Sequence, residues 1–175
     1  MNKAISIRPL TKELFNTYNE VGSKAYNQHY KHLWPNGNSS PYLKSSFTEK
    51  VLLGEENDPN TELFVIYWNV EPAGILKLSL AAAVGKYSAA EALLLNKIYL
   101  LNVYSGKGIG KAVLAFVVKT AEEKQKKVVW LTTMQKGPAL KFYLQNGFTI
   151  YEETQIPFTS AIEAEKPMFI MTRLV

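Results

Sequence analysis

The hydrophobic pattern of the chain switches between a period of two and a period near four, which predicts alternating strands and helices. Residues 4–8 alternate apolar and polar side chains and predict a first strand. From Thr11, a residue type suited to a helix N-cap, apolar side chains recur at helical spacing. They are Leu14, Tyr18, Val21 and Ala25. The stretch 26–41 ends in turn-forming residues and predicts an aromatic-rich loop, while residues 42–54 predict a second helix that stops at Gly54.

The middle of the chain predicts a meander of strands. A turn is predicted at 57–60, and strands at 62–69 and 74–82 follow it, joined by a turn that contains proline and glycine. A segment of small and polar residues, 83–90, leads to a further strand around 93–103.

The C-terminal half predicts helices and strands in alternation. Proline suits the first turn of a helix, and glycine suits the position just after a helix ends. With the earlier elements, the order predicts about seven strands in a single domain over residues 1–175. The elements predicted in this half are a long helix that starts near Gly108, a β-branched strand at 128–133, a helix from Pro138 to just before Gly147, and strands at 148–154 and 168–174.

Composition narrows the class of protein. The 175 residues are 47% hydrophobic, which suits one globular domain with a substantial core. No apolar run approaches the ~20 residues of a membrane span, and the N-terminus lacks the apolar stretch of a signal peptide, so a cytoplasmic location without membrane contact is expected. The absence of cysteine excludes disulfides, a cysteine nucleophile and thiolate metal sites.

The formal net charge of +5 rests almost entirely on lysine. Arg8 and Arg173 are the only arginines, which argues against nucleic acid as a partner, because base and phosphate recognition favours arginine forks. Several lysines instead lie close in sequence to a glycine-rich loop, where an anionic cofactor would account for them. They are Lys107, Lys111, Lys136 and Lys141.

That loop, residues 105–110 (SGKGIG), joins a predicted strand to the long helix. A glycine-rich loop that opens a helix presents backbone N–H groups at the positive end of the helix dipole and is suited to phosphate. A Walker A loop would need glycine and a hydroxyl where the chain has Ser105 and Ala112. A dinucleotide fingerprint would need glycine in place of Lys111 or Val113. Both phosphate loops are therefore excluded.

The loop resembles motif A of the GNAT superfamily of acyl-CoA N-acyltransferases, Gln/Arg-x-x-Gly-x-Gly/Ala, with Ser105 at the first position. Residues 139–148 (ALKFYLQNGF) resemble motif B, Asn-x-x-Ala-x-x-Phe-Tyr-x-x-x-Gly-Phe, with Lys136 in place of the asparagine. The two motifs follow each other in the family's order, separated by one helix and one strand.

The resemblance implies an α/β (α+β) GNAT fold: a mixed, mostly antiparallel sheet of about seven strands with helices on both faces. The strands before and after the long helix would splay apart and admit the pantetheine arm of acetyl-CoA, the implied cosubstrate. The N–H of Leu100 would hold the thioester carbonyl. The implied cofactor-binding residues are Ile98, Tyr99, Leu100, Ser105, Gly106, Lys107, Gly108, Ile109, Gly110, Lys111 and Lys136.

The resemblance also assigns a catalytic residue. Tyr143 occupies the motif B tyrosine, whose hydroxyl faces the CoA sulfur in the family, and a phenol with a pKa of about 10 holds a proton at neutral pH. Tyr143 is therefore the predicted general acid. Many members carry a glutamate base eleven positions before motif A, where this chain has Leu94, so no base is assigned. His29 and His32 lack a third ligand nearby, and no metal is expected.

The function that the resemblance implies is transfer of an acetyl group from acetyl-CoA to a primary amine. Residues 97–110 look most like bacterial diamine and polyamine acetyltransferases, which favours a small amine of that type. Two alternatives stay open: a catalytically weak CoA-binding regulatory module, and an acetyltransferase of protein or peptide amino groups. A homodimer could form through an exposed last strand. The acceptor site is expected from an aromatic group on the N-terminal helices: Tyr26, His29, Tyr30, His32, Trp34 and Tyr42.

Overall fold

The computed structural model of the protein describes residues 4–175 and contains one seven-stranded sheet in the order β1-β2-β3-β4-β5-β7-β6. Among the described residues, β4 and β5 pair in parallel and the other neighbours pair antiparallel, as expected for the GNAT fold. The strands are β1 Ile5–Pro9, β2 Thr61–Trp68, β3 Glu71–Ser79, β4 Ala92–Leu100, β5 Val128–Met134, β6 Thr149–Gln155 and β7 Pro167–Leu174. The helices are α1 Phe15–Tyr30, α2 Ser40–Ser46, α3 Glu49–Glu56, α4 Ile109–Glu123 and α5 Pro138–Gln145.

The first helix is longer than its sequence pattern predicts. α1 continues to Tyr30 through the start of the stretch predicted as a loop. The reason is tertiary: Tyr26 and Tyr30, one turn apart, both pack against Tyr99 on β4, with ring centroids 5.6 and 5.7 Å away. Burial of these rings stabilises a helical turn that the local sequence, which is rich in polar residues, does not predict.

The helix predicted over 42–54 is two helices. The helix is interrupted at Phe47. The Thr48 side chain then caps α3 by accepting a hydrogen bond from the Val51 N–H at 3.2 Å. Gly54 lies inside α3 and does not end it. The break turns Phe47 into the core, where its ring lies against Gly22 of α1.

The sheet has a hydrophobic layer on each face. Alternate residues of β2 divide between them: Phe64 and Ile66 pack with α4 and α5, while Val65 packs with the N-terminal helices. Helices therefore cover both faces, as the resemblance implies. Within residues 4–175, none of these helices has the length and apolarity to cross a membrane.

The parallel pair β4–β5 separates along its length. Pairing runs from Ala92–Val128 to Leu94–Trp130, yet β4 continues to Leu100 and β5 to Met134. The two strands therefore splay apart in the middle of the sheet, and the backbone groups along both sides of this gap lack a strand partner. This is the splay that the resemblance implies.

Gly22→Ala is expected to destabilise the protein. A Cβ at this position would overlap the Phe47 ring, so the helix or the ring has to move. Overpacking of this kind costs about 1–3 kcal/mol, and each kcal/mol lowers the melting temperature by about 2–4 °C in a chain of this size. Thermal unfolding measures the effect. In a Phe47→Leu background the same substitution should cost less, and an equal cost in both backgrounds would contradict the assigned contact.

Candidate active site

Two cavities open on either side of the gap between β4 and β5. The loop cavity, about 470 Å³, lies beside the glycine-rich loop and the start of α5. The aromatic cavity, about 220 Å³, lies among α1, α2 and the ends of β4 and β5. The two cavities share four lining residues, Tyr30, Ile98, Tyr99 and Tyr143. The two cavities therefore adjoin at these side chains.

The glycine-rich loop presents a row of backbone N–H groups to open space. Gly106 and Gly108 have φ of 72° and 79°, a left-handed conformation that favours glycine. No heavy atom lies within 4 Å of a Cβ built on either glycine, so the space above them is open. The backbone N–H groups from Gly106 to Lys111 find no acceptor in the part of the chain that the structure describes. They lie at the N-terminus of α4, a position suited to an anion.

Most of the predicted cofactor residues come together here. All of them except Lys107 and Lys136 line the loop cavity. Lys107 Nζ lies 5.8 Å from the centre of the Trp68 ring. The Lys136 ammonium donates to the Ala164 carbonyl at 2.8 Å and pairs with Glu165 at 2.9 Å, which directs it toward the loop before β7. Phosphate contact by these two lysines stays a prediction.

The end of β4 is fixed by α1. His29 Nε2 donates to the Leu100 carbonyl at 2.8 Å, and the Gln28 side-chain oxygen accepts from the Asn102 N–H at 2.9 Å. Because a carbonyl only accepts, Nε2 is the protonated nitrogen of His29. The next N–H along, that of Leu101, donates to Ala73 on β3. The backbone groups of Leu100 therefore face away from β3, on the side of the gap.

The two histidines do not act together. His29 lines the loop cavity, whereas His32 is exposed on a separate 3-10 turn, Lys31–Leu33. Across residues 4–175, the structure groups no three His, Cys, Asp or Glu side chains in a way that could hold a metal ion.

Tyr143 lies at the junction of the two cavities. Pro138 starts α5, and the N–H groups of Gly147 and Phe148 end it by donating to the carbonyls of Leu144 and Tyr143, a Schellman motif with Gly147 at φ 84°. This short, well-capped helix holds the Tyr143 ring against Phe148, with centroids 5.6 Å apart.

The Tyr143 hydroxyl is available for chemistry. The side chain is 8% exposed, and none of the described residues forms a hydrogen bond with its hydroxyl. Burial is the main cause that raises the pKa of Tyr143, and the nearby Tyr30 adds to it. The phenol therefore stays protonated across the physiological range and can donate a hydrogen bond to a group placed between the cavities.

Aromatic side chains form the walls of the second cavity. Tyr26 and Tyr42 stack at 4.0 Å, Trp34 Nε1 donates to the Tyr26 hydroxyl at 2.9 Å, and the hydroxyls of Tyr42 and Tyr99 lie 2.6 Å apart. Burial raises the pKa of Tyr42 to about 12. These contacts lock the rings together, so the wall keeps its shape and stays uncharged. Four residues of the predicted aromatic group, Tyr26, Tyr30, Trp34 and Tyr42, line this cavity.

No candidate for a general base emerges from the acidic residues. Leu94 ends the paired part of β4 and β5. Glu91 is engaged by Lys127 at 2.6 Å and by Ser88, while Glu152 and Glu153 lie exposed on β6. Along the described chain, no Asp or Glu lines either cavity.

Some lining residues were not predicted. Phe142 packs against Gly110 and lines the loop cavity, and the motif B pattern could have identified it. Thr132 and Thr133 enter the aromatic cavity from β5, and Phe158 enters it from the segment between β6 and β7. These three residues reach the cavity because segments distant in sequence pack together, and no local sequence pattern predicts that packing.

A profile of the Acetyltransferase (GNAT) family matches residues 23–148, which is most of the chain and includes both motifs. The chain belongs to this family. Among curated proteins, an uncharacterized N-acetyltransferase in the pepI 3′ region of Lactobacillus delbrueckii subsp. lactis is 28% identical over 113 residues. That match covers 64% of this chain and 65% of the relative, less than two thirds of its length.

Solved structures of other N-acetyltransferases share the fold of this GNAT protein. The PaiA N-acetyltransferase of Thermoplasma acidophilum, in complex with coenzyme A, superposes with a TM-score of 0.77 at 21% identity and covers 98% of this chain and 99% of its own. The spermidine/spermine N-acetyltransferase SpeG of Vibrio cholerae gives 0.67 at 13% identity, with 97% and 92% covered. At these sequence identities, the structural similarity confirms the fold but does not identify the amine that accepts the acetyl group.

Proposed function

We propose that the protein is an acetyl-CoA-dependent N-acetyltransferase that acts on a small primary amine. Acetyl-CoA would occupy the loop cavity, with its pyrophosphate on the N–H groups from Gly106 to Lys111. The amine would occupy the aromatic cavity. The observation that carries the proposal is the junction at Tyr143, where a cavity headed by the glycine-rich loop adjoins a second, smaller cavity.

The reaction forms one bond and breaks another at the thioester carbon. The amine nitrogen attacks the carbonyl, the C–N bond forms, the C–S bond breaks, and the products are an acetamide and the free thiol of CoA. The nitrogen loses one proton and the sulfur gains one. Acetyl-CoA supplies the activated acyl group; the protein aligns the reactants and handles charge and protons.

Two groups of this chain would do that work. The Leu100 N–H faces the gap and would donate to the carbonyl oxygen as negative charge develops there. The Tyr143 hydroxyl would donate to the departing sulfur and act as general acid. Its raised pKa keeps the phenol protonated at physiological pH but makes it a weaker acid, so the Tyr143 oxygen would take up the proton that the nitrogen releases as it gives its own to the sulfur.

The fold gives less information about the acceptor amine than about the acetyl-CoA donor. The sequence favours a diamine or polyamine, but the aromatic cavity offers no carboxylate to a cationic chain. Of the acidic residues near α3, Glu55 pairs with Lys77 at 2.6 Å, and none lines the cavity. A volume of about 220 Å³ lies below the range of about 300–1,000 Å³ typical of drug-sized ligands and favours a small molecule over a protein or peptide amino group.

The test is release of free thiol from acetyl-CoA in the presence of a panel of amines. Because the chain has no cysteine, a thiol reagent reports only the CoA product. Amine-dependent release is expected, and acetyl-CoA at about 100 times its Kd should stabilise the fold by about 2.7 kcal/mol. Stabilisation without release from any amine would favour the CoA-binding module, and no stabilisation would contradict the proposal.

A further inference from the structure

The aromatic cavity is lined by neutral side chains. Its walls are tyrosine, tryptophan and phenylalanine rings, aliphatic side chains, and the polar groups of Asn96, Thr132 and Thr133. Within the described chain, no carboxylate, imidazole, ammonium or guanidinium group lines it, so its titratable groups are tyrosine hydroxyls. A cation that enters would lose its hydration and gain no anionic partner, and attraction to the ring faces would offset only part of that loss.

A cation, the Lys97 ammonium, lies behind the aromatic wall. Lys97 Nζ lies 5.8 Å from the centre of the Tyr42 ring and 5.1 Å from that of Phe47. Burial lowers the pKa of Lys97 to about 8, against the opposing effect of Glu55. Because Glu55 is itself paired with Lys77, this side of the cavity carries two ammonium groups and one carboxylate. The excess positive charge disfavours a second cation on the cavity side of the ring.

The neighbouring elements supply no proton acceptor to the cavity. His29 of α1 lies in the loop cavity, where its Nε2 is committed to the Leu100 carbonyl. Glu55 of α3 and Lys77 of β3 lie behind the wall, paired with each other. An amine that arrives protonated would therefore meet no group placed to take its proton inside the aromatic cavity.

We propose that the acceptor is a small, weakly basic monoamine on an apolar or aromatic body, and that it enters the aromatic cavity as the free base. This inference rests on the proposed function. The amine gives its proton to water before it enters, and the neutral nitrogen then attacks the thioester. At pH 7, about one molecule in seven of an α-amine with a pKa of about 7.8 is the free base. For an alkylamine as basic as lysine, only about one molecule in 2,500 is the free base.

A matched pair of amines tests the inference. Phenylalaninamide carries an α-amine, and 2-phenylethylamine carries the same ring on a more basic amine; putrescine and spermidine serve as dicationic and polycationic probes. With saturating acetyl-CoA, kcat/KM is measured for each between pH 6 and 9.5. At pH 7 phenylalaninamide should exceed 2-phenylethylamine by about tenfold or more, and the ratio should fall as the pH rises toward the second amine's pKa.

Three results would overturn the inference. The first is a preference for spermidine or putrescine at pH 7. The second is a pH profile that levels off well below the pKa values of both aromatic amines, which would indicate that a group of the protein takes the proton. The third is release of thiol with other amines but with neither aromatic amine. Failure of the proposed function looks different, since no amine of any class would then release thiol, whether or not acetyl-CoA stabilises the protein.

A variant tests the role of the buried cation. Lys97→Met removes the charge and keeps an unbranched side chain against the rings of Tyr42 and Phe47. It should raise kcat/KM for putrescine relative to phenylalaninamide several-fold at pH 7, where the Lys97 ammonium is still charged. Lys50→Met, which removes an exposed lysine on α3, is the matched control and should leave the ratio unchanged. An unchanged ratio in Lys97→Met would contradict the assigned effect of the charge.

Discussion

Tyr143→Phe is expected to lower kcat by about 10²-fold while the variant still folds and binds acetyl-CoA. The substitution removes only the hydroxyl, which has no hydrogen-bond partner among the described residues, so the ring contacts with Phe142 and Phe148 remain. The loss should therefore appear in the chemical step, because the departing sulfur would have to take its proton from water. Steady-state kinetics with the best acceptor, together with thermal stabilisation by acetyl-CoA, separate turnover from binding.

Tyr151→Phe is the matched control for this variant. Tyr151 is 44% exposed on β6, away from both cavities, so loss of its hydroxyl should leave kcat unchanged. A Tyr143→Phe enzyme that turned over as fast as the wild type would remove the general acid from the proposed mechanism. It would leave the position of the thioester between the two cavities as the main contribution of this site.

Gly108→Ala is expected to weaken acetyl-CoA binding by about tenfold. Gly108 has φ 79°, and holding a residue with a Cβ in this left-handed conformation costs about 1–2 kcal/mol. No atom contacts a Cβ built there, so the effect comes from the backbone. The loop can relieve the strain by turning its peptide groups, and its N–H groups then no longer converge on one anion. Isothermal titration with acetyl-CoA and with CoA measures the change.

Gly54→Ala provides the control for a glycine of ordinary conformation. Gly54 lies inside α3 with nothing within 4 Å of a built Cβ, so alanine should stabilise the helix by about 1 kcal/mol without altering affinity. If Gly108→Ala bound acetyl-CoA as tightly as the wild type, the loop would not hold the pyrophosphate through its backbone in the way proposed.

The sequence predicts the sheet well because its strands have strong local patterns. The continuous apolar run of β2 is typical of a buried strand, and its neighbours Phe64 and Val65 pack on opposite faces of the sheet. Pro138 and Gly147 mark the limits of α5 as predicted. The glycine-rich loop is similarly local: its conformation is set by residue type at Gly106 and Gly108.

The N-terminal helices are predicted less well because packing decides them. Tyr30 is helical because its ring packs against Tyr99, which is more than sixty residues away in the sequence. The interruption between α2 and α3 at Phe47 depends on the contact of the Phe47 ring with Gly22 of α1. The walls of the aromatic cavity have the same origin. Phe158 and Thr133 reach it from separate segments, and Lys97 acquires its lowered pKa only once α2 and α3 bury it.

The most direct test of the central claim is a crystal structure of the protein with acetyl-CoA. The account predicts the pyrophosphate on the N–H groups from Gly106 to Lys111, the acetyl carbonyl at the Leu100 N–H, and the sulfur within hydrogen-bond reach of the Tyr143 hydroxyl. The thioester carbon would then face the aromatic cavity. Acetyl-CoA bound elsewhere, or bound in the loop cavity with its thioester directed away from Tyr143, would contradict it.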